Sequence, residues 1–420
     1  MGARHDDDMN ILFSVYHLCW AFFGNILYRF PSRKLFVVGV TGTKGKSTTL
    51  ELMSSILEAS GKRTALLSSV RRKIGELSQK SSGKNTMPGR FAIQKFLRDA
   101  VNAGCTHAFI EVSSQGVLQY RHKFIEWDAA VFLNITPEHI EAHGSFERYR
   151  GAKVLFFKDV LDSPKLRKYF IINVDDGSYT YFLDVIKDKT GCDVIFFSKN
   201  KFVMEQLADD KKKLGEWVSA DFNLENASAS FALAQILGIE WPTVERALAS
   251  FKGVPGRLDV VRREPFSVVV DYAHTPDSLF MVYDVLRSDY KTSYGRMMCV
   301  LGCAGGGRDK WKRPKMGKIA SEKCDIIILT NEDPYDENPS EIITQIHSGI
   351  LPNFPESNVY EIVDRREAIR KALSLARAGD VVVATGKGSE SSIHIAHGKT
   401  IPWNEREVFE EELRNKTPLN

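Results

Sequence analysis

The sequence predicts an α/β protein: a P-loop-type central domain with a mainly parallel sheet, followed by a Rossmann-like C-terminal domain. Three observations carry this reading. Strand-like apolar runs alternate with helical patterns almost throughout, as in parallel sheets covered by helices. A glycine loop, Gly42 to Ser47, joins one such run to a helix. The cluster Gly253-Val254-Pro255-Gly256 divides the strands into two series.

Residues 1–34 read as an N-terminal apolar helical segment. Ile11 to Phe30 is long and apolar but interrupted by His17, Asn25 and Arg29, and Asp6-Asp7-Asp8 precede it. A signal peptide wants a basic n-region and a small-residue cleavage site, and neither is present. Three readings stay open: a helix packed on the protein or a partner, one making membrane-surface contact, and a membrane span. The central domain, 35–255, takes its strands from Leu35–Val40, Thr64–Leu67, His107–Val112, Ala129–Ile135 and Phe170–Val174. It ends after an Ala-rich amphipathic helix, Asn223 to Leu237. The C-terminal domain, 256–420, takes its strands from Ser267–Asp271, Met298–Leu301, Ile326–Thr330 and Val381–Thr385.

At 420 residues the chain exceeds one ordinary core. Its formal charge of +4 comes from 57 basic and 53 acidic residues without a long basic tract, which excludes a nucleic-acid footprint. Cys19, Cys105, Cys192, Cys299, Cys303 and Cys324 form no CxxC pair and read as reduced, mostly buried thiols, which places the chain in the cytoplasm.

The loop VTGTKGKSTT is the most informative stretch. Strand, glycine loop and helix start bring backbone N–H groups together on phosphate oxygens. In this setting Lys46 reaches the terminal phosphates of ATP and Ser47 ligates Mg²⁺, although Val40 stands where a strict Walker A pattern has glycine. Glu111 ends an apolar run, and a carboxylate at the C-terminal edge of a parallel strand can hold a metal beside that loop. His139 and His143 have helical spacing, but there is no HExxH pattern, and Pro137 with Gly144 confines any helix to less than two turns. Zinc is therefore rejected. One histidine completing a magnesium site is the sharper alternative.

These residues resemble a family. TGTKGKST, EVSSQGVLQYR, NITPEHIEAHGSFERYRGAK, FNLENASASFALA, GRLDVV, VVVDYAHTPDSL, LGCAGGGRDKWKRPKMG and TGKGSE occur in the order expected of Mur ligases, across about Leu35 to Val408. The resemblance implies an ATP-dependent ligase of peptidoglycan synthesis, of the type that adds the third stem-peptide residue to UDP-N-acetylmuramoyl-dipeptide through an acyl phosphate. It implies that Gly42, Thr43, Lys44, Gly45, Lys46, Ser47 and Thr48 hold ATP. Ser47, Glu111, His139 and a carbamylated Lys153 support the metal. Asn223 and Asn226 contact adenine, Arg257 reaches the γ-phosphate, and Asp271 and His274 contact the ribose and nucleotide. Closure of two domains would assemble such a site. Lys46, Lys153, His139, Glu111 and Arg257 are the expected catalytic set.

On the substrate side, Asn85, Thr86 and Arg90 in NTMPGR, with Ser113 and Arg121, are expected to take the acceptor. Arg308 is expected to pair with the amino acid's α-carboxylate, with Glu332, Asp333, Gly386 and Glu390 around its side chain. Diaminopimelate-adding ligases carry Asp-Asn-Pro-Arg where this chain has Glu332, Asp333, Pro334 and Tyr335. The arginine that grips a distal carboxylate is missing, and the three acids suggest a lysine-like amino acid. About 34 residues precede the ATPase strand, too few for a separate UDP-binding domain, so a carrier without UDP stays open. A folylpolyglutamate-synthetase-like ligase and a non-catalytic ATP-binding scaffold are the alternatives.

Overall fold

The computed structural model describes residues 16–81, 86–138, 140–208, 210–289 and 295–415. They cluster into two compact units, Met1–Pro137 with His143–Lys252, and Glu138–Ala142 with Gly253–Asn420.

The first unit begins with helix α1 (16–27), whose Ala21, Gly24 and Asn25 are buried while its other face stays exposed. It continues through β1 (Phe36–Thr41), α2 (Lys46–Ala59), β2 (Thr64–Leu67), the hairpin β3 (Arg71–Ile74) and β4 (Leu77–Lys80), α3 (Arg90–Asn102), β5 (His107–Glu111), α4 (Ser114–Leu118) and β6 (Ala129–Phe132). After the short α5 (Ile140–His143), whose first three residues cluster with the second unit, come α6 (Phe146–Leu161), β7 (Lys168–Asn173), α7 (Tyr179–Ile186), β8 (Cys192–Phe197), α8 (Lys199–Phe202), α9 (Asp221–Ile236) and α10 (Trp241–Ala249). The sheet order is β4-β3-β2-β5-β1-β6-β7-β8, parallel from β2 to β8.

Alternate residues of one strand feed opposite cores, because successive side chains point to opposite faces. Val37, Ala108, Ile110 and Phe132 join the core that contains Phe96 of α3 and Phe156 of α6. Val38, Val40, Phe109 and Val131 join the core that contains Met53 of α2 and Leu233 of α9. Burial on both faces is why these strands are legible as apolar runs. The hairpin β3–β4 is half-buried to exposed, so its sequence is polar and gave no such run. Helix α1 lies on α3, with Trp20 edge-on to Phe91 and Arg98 bonding the Tyr28 carbonyl at 2.8 Å.

The second unit runs β9 (Asp259–Arg262), β10 (Ser267–Val270), α11 (Pro276–Asp289), β11 (Met297–Leu301), α12 (Lys312–Lys323), β12 (Ile326–Leu329), α13 (Pro339–His347), β13 (Val359–Glu361), α14 (Arg365–Leu375), β14 (Val381–Ala384), the hairpin β15 (Ser392–Ile395) and β16 (Lys399–Pro402), and α15 (Glu405–Asn415). Its sheet order is β13-β12-β11-β14-β10-β9, parallel except for the edge strand β9. The same two-sided alternation holds, Cys299 and Leu301 facing one core and Met298 and Val300 the other.

The thiol expectation needs one correction. Cys299 of β11 and Cys324, which caps α12, form a disulfide with Cα atoms 6.1 Å apart. They lie 25 residues apart in sequence, and only the return of α12 beside β11 brings them together. Cys105 and Cys303 are buried free thiols, whereas Cys19 is exposed and Cys192 half-buried.

Candidate functional site

The phosphate loop hangs between the end of β1 and the start of α2. Gly45 caps α2 with φ +81°, and a Cβ there would fall 2.3 Å from Asn226 Oδ1, so both conformation and space require glycine. Asn226 Oδ1 also accepts from Thr49 Oγ1 at 3.1 Å, which ties α9 to the start of α2. Asn223 donates to the Trp217 carbonyl at 2.6 Å. The N–H groups of Thr43 and Lys44 bond Asn134 at 2.9 Å, which holds the loop against the end of β6. The first N–H groups of α2 have no intrahelical acceptor and remain for an anion. Lys46 Nζ folds back onto the carbonyls of Gly42 and Thr43, at 3.0 and 2.9 Å. Thr48 is half-buried on the first turn of α2.

Glu111 is buried, and its Oε2 accepts from Ser47 Oγ at 2.9 Å and from the Ser69 N–H at 2.8 Å. Lys46 Nζ lies 3.9 Å from Oε1. One carboxylate beside one hydroxyl suits Mg²⁺, which keeps water and takes phosphate oxygens. No group of three or more His, Cys, Asp or Glu that could hold a metal occurs among the described residues. Lys153 is buried on α6, donates to the Gly42 carbonyl at 2.7 Å and stands 4.7 Å from the Tyr149 ring. His139 and Asn85 lie outside the described residues. His143, not singled out for this role, is the buried histidine here: its Nε2 meets Ser114 Oγ at 3.1 Å, and burial, then Lys153, lowers its pKa. Thr86 is half-buried, and the Ser113 hydroxyl caps α4 through the Gly116 N–H.

In the second unit Asp271 turns inward. Its two oxygens accept the N–H groups of Leu258 and Ala273 at 2.7 and 2.6 Å, so the carboxylate builds the turn, and burial raises its pKa. His274 contacts the Tyr272 carbonyl at 2.9 Å and Glu138 Oε1 at 3.1 Å. Arg257 lies over the Tyr272 ring, 4.1 Å from its centre.

The acidic group is not a free triad. Buried Lys387 donates to Asp333 Oδ1 at 2.8 Å and to Glu390 Oε2 at 2.5 Å. Asp333 also accepts the His394 N–H, and Glu390 the Tyr272 hydroxyl. Glu332 is different: buried, with Oε2 lacking a hydrogen-bond partner among the described residues, and pushed up in pKa by desolvation first, then by Asp333. Gly386, at φ +103°, passes so close that a Cβ would sit 2.5 Å from that oxygen. Arg365 holds the strand ends beneath, bonding the carbonyls of Asn331 and Thr385 at 3.0 and 2.7 Å while paired with Glu405. Tyr335 stacks on His394, ring centres 5.1 Å apart, so this position offers an aromatic face where a guanidinium was missing. Arg308 is held above its usual pKa despite burial, chiefly by Tyr335. The sequence reading missed Lys387 because Asp333, the partner that ties it to the acidic loop, lies 54 residues away.

Comparisons with known proteins bear on the family and the fold. The profile of the Mur ligase middle domain matches residues 40–234, and that of the Mur ligase, glutamate ligase domain matches 256–388. UDP-N-acetylmuramoyl-L-alanyl-D-glutamate--2,6-diaminopimelate ligase of Clostridium tetani is 34% identical over 91% of this chain and 79% of its own length. The ligase of the same name from Aquifex aeolicus is 36% identical over 91% and 78%. A solved structure of a ligase of that name superposes with TM-score 0.59 at 27% identity, covering 94% of this chain and 82% of the other. Mycobacterium tuberculosis folylpolyglutamate synthase with ADP and AMPPCP shares the fold at 15% identity, with TM-score 0.67 over 88% and 92%.

Proposed function

The chain belongs to the Mur ligase family, an ATP-dependent ligase of peptidoglycan synthesis, and on that premise we propose that it adds a lysine-like amino acid to a phosphate-bearing N-acetylmuramoyl-dipeptide. The observation that carries the ATP-dependent part is the convergence of Lys46, Ser47 and Glu111 at the end of β1 and β5.

The acceptor's carboxylate oxygen attacks the γ-phosphorus of ATP, and the bond to the ADP oxygen breaks. The amino acid's nitrogen then attacks the acyl carbon and loses a proton, and phosphate leaves to give the amide. Lys46, released from its loop carbonyls, neutralises charge on the transferring phosphoryl group, and the amides at the start of α2 hold the adjacent oxygens. Mg²⁺, when bound, would offset phosphate charge. Ser47 and Glu111 would hold it, with His139 and a carbamylated Lys153 in support. A carbamate makes Lys153 an anion, whereas an ammonium would oppose a cation. Asn223 and Asn226 are assigned to adenine, Arg257 to the γ-phosphate, and Asp271 and His274 to the nucleotide.

For the amino acid, Arg308 takes the α-carboxylate and Glu332 the side-chain ammonium, since its oxygen is the unpartnered one. Thr86, Arg90, Ser113 and Arg121 are assigned to the acceptor. The relatives' name specifies diaminopimelate. The departure here rests on Tyr335, which cannot make the bidentate grip that arginine gives a carboxylate. Competition between lysine, ornithine and diaminopimelate in one ligation assay tests this, and a win for diaminopimelate refutes it. Phosphate release with and without acceptor and amino acid tests the reaction itself.

We assign α1 to a membrane surface and the enzyme to the cytoplasmic side. Trp20, Phe22, Phe23, Ile26 and Leu27 are exposed, and Arg29, Arg33 and Lys34 follow as a basic collar. No described helix is long and apolar enough to cross a membrane. Sedimentation with anionic vesicles should capture the chain, and Phe22→Ser with Phe23→Ser should release it.

A further inference from the structure

The loop after β11, which carries Arg308, and the loop after β12, which carries Glu332, lie backbone against backbone. The Gly305 N–H donates to the Asp333 carbonyl at 2.8 Å. A Cβ on Gly302 would fall 2.6 Å from the Thr330 carbonyl oxygen, and one on Gly305 would fall 2.3 Å from that of Pro334. One on Gly306 would meet the Tyr335 ring at 2.7 Å. Gly302 and Gly305 are not left-handed, so space alone demands glycine there. Any side chain would part the two loops.

Arg313, the second residue of α12, fastens this contact from below. It is fully buried, and its Nη1 donates to Glu337 Oε2 at 3.0 Å and to Gln345 Oε1 at 2.7 Å, while Nη2 donates to the Ala304 carbonyl at 3.1 Å. One guanidinium thus joins the glycine loop, the far end of the acidic loop and α13. Three acceptors in three directions suit a planar, rigid fork, and a lysine ammonium on its flexible stem does not reproduce it. Lys310, farther along the glycine loop, pairs with the same Glu337 at 3.2 Å. The terminal nitrogens of Arg313 go to protein acceptors, so whatever it does for the reaction it does through these two loops.

In the amino-acid reading above, Arg308 takes the α-carboxylate and Glu332 the side-chain ammonium. One sits on each loop. Glu332 is buried, and Gly386 passes so close to its carboxylate that the acid has little room to follow a shorter or longer partner. A fixed interval between an anion-binding and a cation-binding group counts the methylenes between the two charges of its ligand. A chain too short leaves one buried charge unpaired, and a chain too long must buckle.

We propose that Arg313 is a positioning residue that, by holding the glycine loop on the acidic loop, sets the length of diamino acid the enzyme accepts. The proposal rests on the assignment of Arg308 and Glu332 and names the feature of the substrate that this pocket measures.

The test is kcat/KM of the full chain for ligation of lysine, ornithine and 2,4-diaminobutyrate, each one methylene shorter than the last. The best of the three should exceed its neighbour by about tenfold or more, the usual worth of one methylene in a fitted site. Arg313→Lys keeps the charge and loses the fork, and it should compress that ratio to about threefold or less with KM for ATP unchanged. Gly305→Ala wedges the loops apart without altering charge and should move the preference toward the longer homologue. Gln345→Leu removes only the tie to α13 and should compress the ratio in the same sense, which keeps the test decisive if Arg313→Lys does not fold. A variant that is merely less stable loses activity on all three amino acids alike and keeps their ratios. Folded variants with wild-type ratios therefore overturn the proposal, as does a wild type that uses the three equally. Diaminopimelate outrunning all three in the wild type would overturn the amino-acid reading and this proposal with it, a failure visible before any variant is made.

Discussion

Replacing Lys387 with methionine should destabilise the second unit by about 3 kcal/mol. The side chain is fully buried and bonds both Asp333 and Glu390, so its loss leaves two carboxylates without their cation. Removing one partner of a buried ion pair costs about 3–5 kcal/mol, and Glu390, with 27% of its side chain exposed, recovers some hydration, which favours the lower end. For a unit of this size each kcal/mol moves the melting temperature by roughly 2–4 °C, so the expected fall is about 6–12 °C. The pH dependence has a definite sign. Buried carboxylates without a counter-charge have folded pKa values above their unfolded ones, so they penalise the fold at high pH and cease to as they are protonated. The deficit against wild type should therefore shrink from pH 8 to pH 5. Adding Asp333→Asn should recover at least about 1 kcal/mol. Differential scanning calorimetry at the two pH values measures all three quantities. A fall below 2 °C, or a deficit independent of pH, would mean that Lys387 does not hold these acids.

Four further outcomes are expected of this protein. Gly45→Ala forces a left-handed alanine, about 1–2 kcal/mol, and displaces Asn226 from Thr49, about 1 kcal/mol more; chemical denaturation should show a loss of about 2–3 kcal/mol with ATP binding weakened. Lys46→Ala should cut turnover by about a hundredfold or more without unfolding, and activity within about tenfold, or 1.4 kcal/mol, would remove Lys46 from the phosphate site. Lys153→Ala should be inactive and partly rescued by short carboxylic acids, while an unmodified lysine in the mass spectrum of fully active enzyme would dismiss the carbamate. Glu225, pushed up to about 7 by burial first, with Lys199 opposing and Asp175, Asp176 and Asp221 reinforcing, costs stability as it ionises in the fold. Glu225→Gln should therefore raise the melting temperature at pH 8 and leave it nearly unchanged near pH 4, and the reverse order would contradict this.

The sequence alone determined the strands buried on both faces and the glycine loop between β1 and α2. Strands such as β1, β5 and β11 are buried along almost their whole length, so each is visible as a mainly apolar run. The phosphate loop is a local device, set by glycine conformation and the start of one helix. Edge elements escaped: β3 and β4 keep one side in water and read as polar chain. What tertiary structure decided is pairing across long separations. Lys387 neutralises Asp333 from 54 residues away, Asn226 forbids a side chain at Gly45 while bonding Thr49 from 177 residues away, and Cys324 finds Cys299 only through the turn of α12. Charge on paper therefore misjudged the acidic loop after β12, whose field depends on a cation delivered from the end of β14. The residue types were legible, but whether a carboxylate is free or already satisfied is a property of distance, which composition and spacing do not encode.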